Sequence, residues 1–137
     1  MRKSMDRVFL DANVLFSAAY RDGAGLARLW NLDEVHLVTS TYAMMEARLN
    51  LAEPRQQERL GTLLRGLSIV PAGGAVPSGI ALPEKDAPIL ASALAAKATH
   101  LLTGDVRHFG ALYNKDIAGC LVLRPADYLR TRLPHVS

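Results

Sequence analysis

The sequence predicts an α/β domain: a central, mainly parallel sheet with helices on both faces, three layers in all. Three observations carry that prediction. Short apolar runs recur along the chain. Longer segments with helical spacing or helix-capping residues separate them. The runs are continuous rather than alternating, as strands buried on both faces require.

Val8-Phe9-Leu10 in "RVFLDANVLFSA" is the first such run, and Asp11 directly behind it can cap a following helix. After the glycine-bearing turn "RDGAG", "LARLWN" sets Leu26, Leu29 and Trp30 at helical spacing. "EVHLVTS" reads as the second strand. From Ser40 or Thr41, "STYAMMEARLNL" reads as a hydroxyl-capped helix with Tyr42, Met45 and Leu49 on one apolar stripe. A further helix covers "PRQQERLGTLLRGL", with Pro54 in its first turn. "SIV" is the third strand and "PAGGAVPSG" a loop within the domain.

"LPEKDAPILASALAAKA" is the strongest helical pattern, with Ile89, Leu90, Ala93, Leu94 and Lys97 in register and Pro88 tolerated in the first turn. The strand "HLLTGD", a loop region "HFGALYNKDIAG", the strand "CLVLR" and a last helix "PADYLRTRL" complete the chain.

The 137 residues suit one compact domain spanning 1–137. No repeat or low-complexity tract interrupts it. The lone Cys120 excludes an internal disulfide framework and fits a reducing cytosol. No apolar run reaches the roughly 18 residues of a membrane span. Asp6 and Asp11 break any signal-like stretch at the N-terminus. A cytoplasmic protein with no membrane partner is expected. The net charge is +3, from 12 Arg and 4 Lys against 13 acids. The arginine bias permits RNA binding, because the guanidinium fork meets phosphate oxygens at two points.

Ligands of parallel α/β sheets sit beyond the carboxyl ends of the strands. Asp11 follows the first strand directly, and Asp105 follows Leu101-Leu102-Thr103-Gly104. Asp86, at the start of the helix that feeds the later strand, belongs at the same edge. Glu46 lies on the flank of the second helix, where its stem can reach that edge. Each has an ordinary structural explanation. Asp11 and Asp86 can be helix caps, Asp105 a turn residue and Glu46 an exposed helix charge.

Their conjunction points further, because carboxylates converging on one edge repel unless a divalent cation neutralises them. Hard oxygen donors of this kind suit Mg²⁺ or Mn²⁺. Zinc spacing is absent, since the histidines are scattered and the cysteine has no partner.

These residues resemble the PIN-domain ribonucleases, most closely the small single-domain members of toxin–antitoxin type. The likeness runs from Val8 to about Leu129. It rests on "FLDANVLFSA", "TSTYAMMEARLNL", "KDAPILASALAAKATHLLTGDVRHF" and "PADYL". The resemblance implies that Asp11, Glu46, Asp86 and Asp105 are the catalytic, metal-holding acids. It assigns Asn13, Thr103 and Ser40 or Thr41 to supporting positions. It further implies RNA hydrolysis leaving a 5′-phosphate, a homodimer, and a cognate antitoxin that could meet Met44 or Leu51. Val106 and Arg107 stand where some members carry another acid, which implies one firmly held ion and a second arriving with substrate.

Substrate would be gripped by Arg48, Arg55, Arg59 and Arg65 on the helices and by Arg107 and His108 beside Asp105. Two other readings compete with this one. A phosphatase of haloacid-dehalogenase type needs a second Asp two residues after the first, where Asn13 stands. A non-catalytic RNA-binding or protein-interaction module of the same fold would not need a repelling acid cluster facing an anionic polymer.

Overall fold

The structure, a computed structural model, describes residues 5–132. Six strands form one sheet: β1 (Asp6–Leu10), β2 (Val35–Ser40), β3 (Ser68–Val70), β4 (His100–Leu102), β5 (Asp116–Ile117) and β6 (Cys120–Leu123). Their order is β3-β2-β1-β4-β6-β5, parallel throughout except for the β5–β6 pair. The helices are α1 (Ala12–Ala19), α2 (Thr41–Asn50), α3 (Pro54–Leu64), α4 (Ala87–Ala95), α5 (Val106–Phe109) and α6 (Pro125–Arg132). The α/β class and the mainly parallel sheet expected from the sequence are present.

The continuous apolar runs serve two cores. Val8, Leu10, Leu37, Leu102 and Leu123 face one layer, shared with α1, α3 and α6. Phe9, Val38, Leu101 and Val122 face the other, shared with α4 and Phe109. Successive strand residues point to opposite faces, so a doubly covered sheet must be apolar at every position. No described helix is long and apolar enough to cross a membrane.

Several local expectations change. Met45 and Leu49 are 56 % and 82 % exposed, so the Tyr42–Met45–Leu49 stripe is not the buried face of α2. Ala43 and Ala47 are buried instead. Ala47 joins the core shared with α1 and Ala43 the opposite core beside Phe9 and Val38, while Met45 and Leu49 face outward. Leu51, expected to meet a partner, is 4 % exposed in the core, and Met44 packs partly buried against that same core.

The strongest helical pattern yields a helix only over Ala87–Ala95, because Lys97 turns left-handed at φ 57°. The Ala98 amide then bonds the Ala93 carbonyl at 3.0 Å, closing the helix end. "LARLWN" forms a 3₁₀ helix within Gly25–Asn31. The expected loop 108–119 holds the end of α5, a 3₁₀ turn Gly110–Leu112 and β5. β5 pairs back on β6 through Ala118 and Gly119, both at positive φ, as a tight hairpin turn requires. Leu133, the expected end of the last helix, lies outside the described residues.

Candidate functional site

The chain moves from β1 outward to β2 and β3, then returns across β1 to β4 on its other side. The β1–β4 boundary is therefore the switch point of the sheet, where a crevice opens at the strand ends. The register sets Leu10 beside Leu102, so Asp11 and Thr103 emerge together.

Asp11 is 5 % exposed and tightly held. One carboxylate oxygen accepts the Ala12 amide at 2.6 Å, at the start of α1. The other accepts the Thr103 hydroxyl at 2.8 Å and the Asn13 amide at 3.1 Å. Thr103, fully buried, also accepts from Asn13 Nδ2 at 3.3 Å and from the Asp105 amide at 3.1 Å. Asn13 Oδ1 takes the Gly104 amide at 2.8 Å. Two side chains thus tie the end of β1 to the end of β4. Burial pushes the Asp11 carboxyl from 3.8 up to about 6, over the opposing hydrogen bonds from Thr103 and Ala12; the charges of Asp86 and Asp105 add to the rise.

Asp86 comes from the other direction, immediately before α4. It occupies the capping position with a helical backbone and makes no capping bond, so its side chain is free for the cleft. It is 8 % exposed, and its Oδ2 is buried without a hydrogen-bond partner. His108 Nδ1 lies 2.8 Å from that oxygen and 2.9 Å from Asp105 Oδ2. The hydrogen-bond geometry of the ring nitrogen is met toward Asp105, which leaves Asp86 Oδ2 in contact but unbonded. Burial raises the Asp86 carboxyl, His108 lowers it, and Asp105 raises it again. Asp105 caps α5 by accepting the His108 amide at 3.1 Å.

Glu46 reaches the same place from α2, half-buried. All four acids line one cleft of about 420 Å³ with Asn13, Phe16, Asn50 and Lys85. Tyr42 donates its hydroxyl proton to the Lys85 carbonyl at 2.9 Å. The Glu46 carboxylate, competing for that proton, pushes the hydroxyl up to about 12.

The other expected residues fall elsewhere. Ser40 is buried and caps α2 through the Ala43 amide at 3.1 Å; Thr41 accepts the Ala72 amide at 3.4 Å. Neither lines the cleft. Arg59 donates to the Ala19 and Tyr20 carbonyls, both at 2.9 Å, and so closes the far end of α1. With Arg55 it lines a separate, larger cleft of about 560 Å³ that also holds Arg21, Asp22 and Glu58. That cleft mixes both charge signs and lies away from the acids. Arg48, Arg65 and Arg107 are exposed; Arg107 stands on α5, two residues beyond Asp105.

Five residues that line the cleft lie outside the expected site: Ala12, Phe16, Ala47, Asn50 and Lys85. Only Lys85 had a legible signal, its place beside Asp86. His108 was noticed as a flank of Asp105, but its one-turn spacing also puts both side chains on one helix face.

The buried, unbonded Asp86 oxygen decides whether a cation fits here. A buried carboxylate oxygen without a hydrogen bond is costly, and a divalent ion here would supply a partner beyond the neighbouring His108 ring. Asp86, Asp105 and His108 each place a donor atom within 4.8 Å of the others. The donor set fits a hard or borderline divalent cation.

No family model matches the chain, and no curated protein matches it. Among solved structures, a chain of the crystal structure of VapBC2 from Rickettsia felis bound to a DNA fragment from their promoter is similar. It aligns with a TM-score of 0.59 and 16 % identity, over 86 % of this chain and 98 % of that chain. At that identity the likeness is one of fold, and it agrees with the PIN-like architecture that the motifs imply.

Proposed function

We propose that this protein is a metal-dependent endoribonuclease and the toxin component of a toxin–antitoxin pair. The observation that carries the proposal is the gathering of Asp11, Glu46, Asp86 and Asp105 from four separate segments into one cleft at the switch point. A binding module of this fold has no use for acids that repel one another and its anionic ligand. The neighbour, described as VapBC2 bound to a DNA fragment from their promoter, supports an antitoxin partner for this chain. A homodimer and an RNA substrate belong to the same proposal.

The four carboxylates would hold Mg²⁺ or Mn²⁺, with Asp11 as the most rigid of them. When bound, such a cation polarises a phosphodiester and acidifies an attacking water. The Ala12 amide on one oxygen, and Thr103 with Asn13 on the other, keep the Asp11 carboxylate from rotating. Glu46, half-buried on α2, is the acid with the most freedom to adjust to substrate. Phe16 gives the cleft an apolar wall that limits water, while Asn50 and Lys85 offer donors to phosphate oxygens. Arg107, exposed on α5, would extend that grip along the strand.

The test is cleavage of a mixed RNA substrate by purified protein, with and without excess chelator, followed by analysis of the new ends. Cleavage that stops with chelator, returns with Mg²⁺ or Mn²⁺ and leaves 5′-phosphates is expected. Undiminished cleavage in chelator would sink the proposal. Loss of metal binding in Asp11→Asn, alongside loss of cleavage, separates it from the non-catalytic alternative.

A further inference from the structure

We propose that His108 Nδ1 is a direct ligand of the cation at this cleft, beside Asp86 and Asp105, and that its nitrogen biases the site toward Mn²⁺ over Mg²⁺. The inference rests on the metal-site reading above and adds to it a residue and a preference that the four acids alone do not imply.

Four observations support it. The first is the placement of the ring. Asp105 holds His108 twice, accepting its backbone amide at 3.1 Å on one oxygen and facing Nδ1 at 2.9 Å with the other. The ring is thus oriented by the acid that caps its own short helix. Second, Nδ1 stands 2.8 Å from Asp86 Oδ2, on a different element. Those two separations match the edge of an octahedron whose ligands lie about 2.1 Å from the centre, roughly 3 Å.

Third, Asp86 Oδ2 is buried and has no hydrogen-bond partner although His108 Nδ1 stands 2.8 Å away. A cation shared by Asp86, Asp105 and His108, whose donor atoms lie within 4.8 Å of one another, would give that oxygen a partner. Fourth, the site is not fully exposed: Asp86 is buried, and Asp105 and His108 are half-buried, so the donors are already largely desolvated.

The metal preference follows from donor chemistry. Mg²⁺ keeps to oxygen and retains its waters, whereas first-row transition ions accept an imidazole. An all-carboxylate cleft would discriminate weakly between Mg²⁺ and Mn²⁺. One nitrogen among the ligands tips that balance.

The experiment uses the full chain loaded with Mn²⁺ alone, read by pulsed electron paramagnetic resonance. Calorimetric titrations with Mn²⁺ and with Mg²⁺ accompany it, for wild type, His108→Asn and Asp11→Asn. Wild type should show coupling to a directly coordinated imidazole nitrogen. His108→Asn puts an amide oxygen close to where Nδ1 stood, so the coupling should vanish. The ratio of Mn²⁺ to Mg²⁺ affinity should then fall about tenfold or more, with Mg²⁺ affinity nearly unchanged. Mn²⁺ bound without nitrogen coupling, or an unchanged affinity ratio in a folded His108→Asn, overturns the role of His108 and leaves the acidic site standing. No Mn²⁺ binding by wild type, or binding that Asp11→Asn does not weaken, overturns the metal site and this inference with it. The spectroscopic arm needs no variant, so a poorly folding substitution does not blunt it.

Discussion

Replacing Asp11 with Asn is expected to stabilise the metal-free protein at neutral pH while abolishing its response to metal. Asp11 is 5 % exposed, and burial lifts its carboxyl from 3.8 to about 6. Between those values the folded chain keeps a proton that the unfolded chain has lost. Stability from this group is therefore complete below about pH 4 and is lost as the pH rises through about 6. At about 1.4 kcal/mol per decade of proton concentration, the loss is on the order of 3 kcal/mol. For a domain of this length about 3 °C of melting temperature corresponds to each kcal/mol, so the gap is roughly 9 °C.

Asn keeps the shape and stays neutral, but its amide NH₂ must face a donor from Thr103 or Asn13, which returns about 1 kcal/mol or more. The metal-free variant should thus melt roughly 5 °C above wild type near neutral pH and a few degrees, about 3 °C or less, below it near pH 4. Differential scanning calorimetry in chelator across that range measures both. Added Mn²⁺ at about a hundred times its dissociation constant should stabilise wild type by about 2.7 kcal/mol and leave the variant where it was. A metal-free variant that melts below wild type near neutral pH, or that keeps the same advantage near pH 4, would refute the reasoning.

Thr103→Val keeps the volume but strips the hydroxyl that serves Asp11, Asn13 and the Asp105 amide. It should cost about 1–3 kcal/mol in urea unfolding, whereas Thr103→Ser should cost clearly less. Glu46→Gln, on a half-buried helix position, should leave the melting temperature within about 2 °C yet reduce RNA cleavage about a hundredfold in a gel assay. Arg59→Ala removes two bonds to the carbonyl end of α1 and should cost about 1–2 kcal/mol. Its Mn²⁺ affinity should match wild type in calorimetric titration, because α1, eight residues long, separates it from Asp11 by about 12 Å.

The strands were the most legible part of the sequence. Val8-Phe9-Leu10, Leu101-Leu102 and the Val122 run are apolar at every position because both faces of the sheet are covered. Asp11 and Asp105 were legible for the same reason, as charges standing where those runs stop. Helix faces were harder to read. Helical spacing in α2 suggests Met45 and Leu49 as its inner face, but packing into the two cores selected Ala47 and Ala43 and left the larger side chains exposed.

Chain order and residue chemistry alone determined the parallel α/β layout and the edge at which the acids collect. Both follow from local periodicity and from the alternation of strand and helix. Three further features depended on contacts between residues far apart in sequence. Ser40 became a buried helix cap rather than a wall of the cleft. Arg59 became the closing group of α1 rather than a hand on the substrate. Asp86 gave up the cap it could have been, and its unbonded oxygen met the His108 ring 2.8 Å away. Only packing brings the start of α4 against α5, and twenty-odd residues of intervening helix and strand hide that meeting from any reading along the chain.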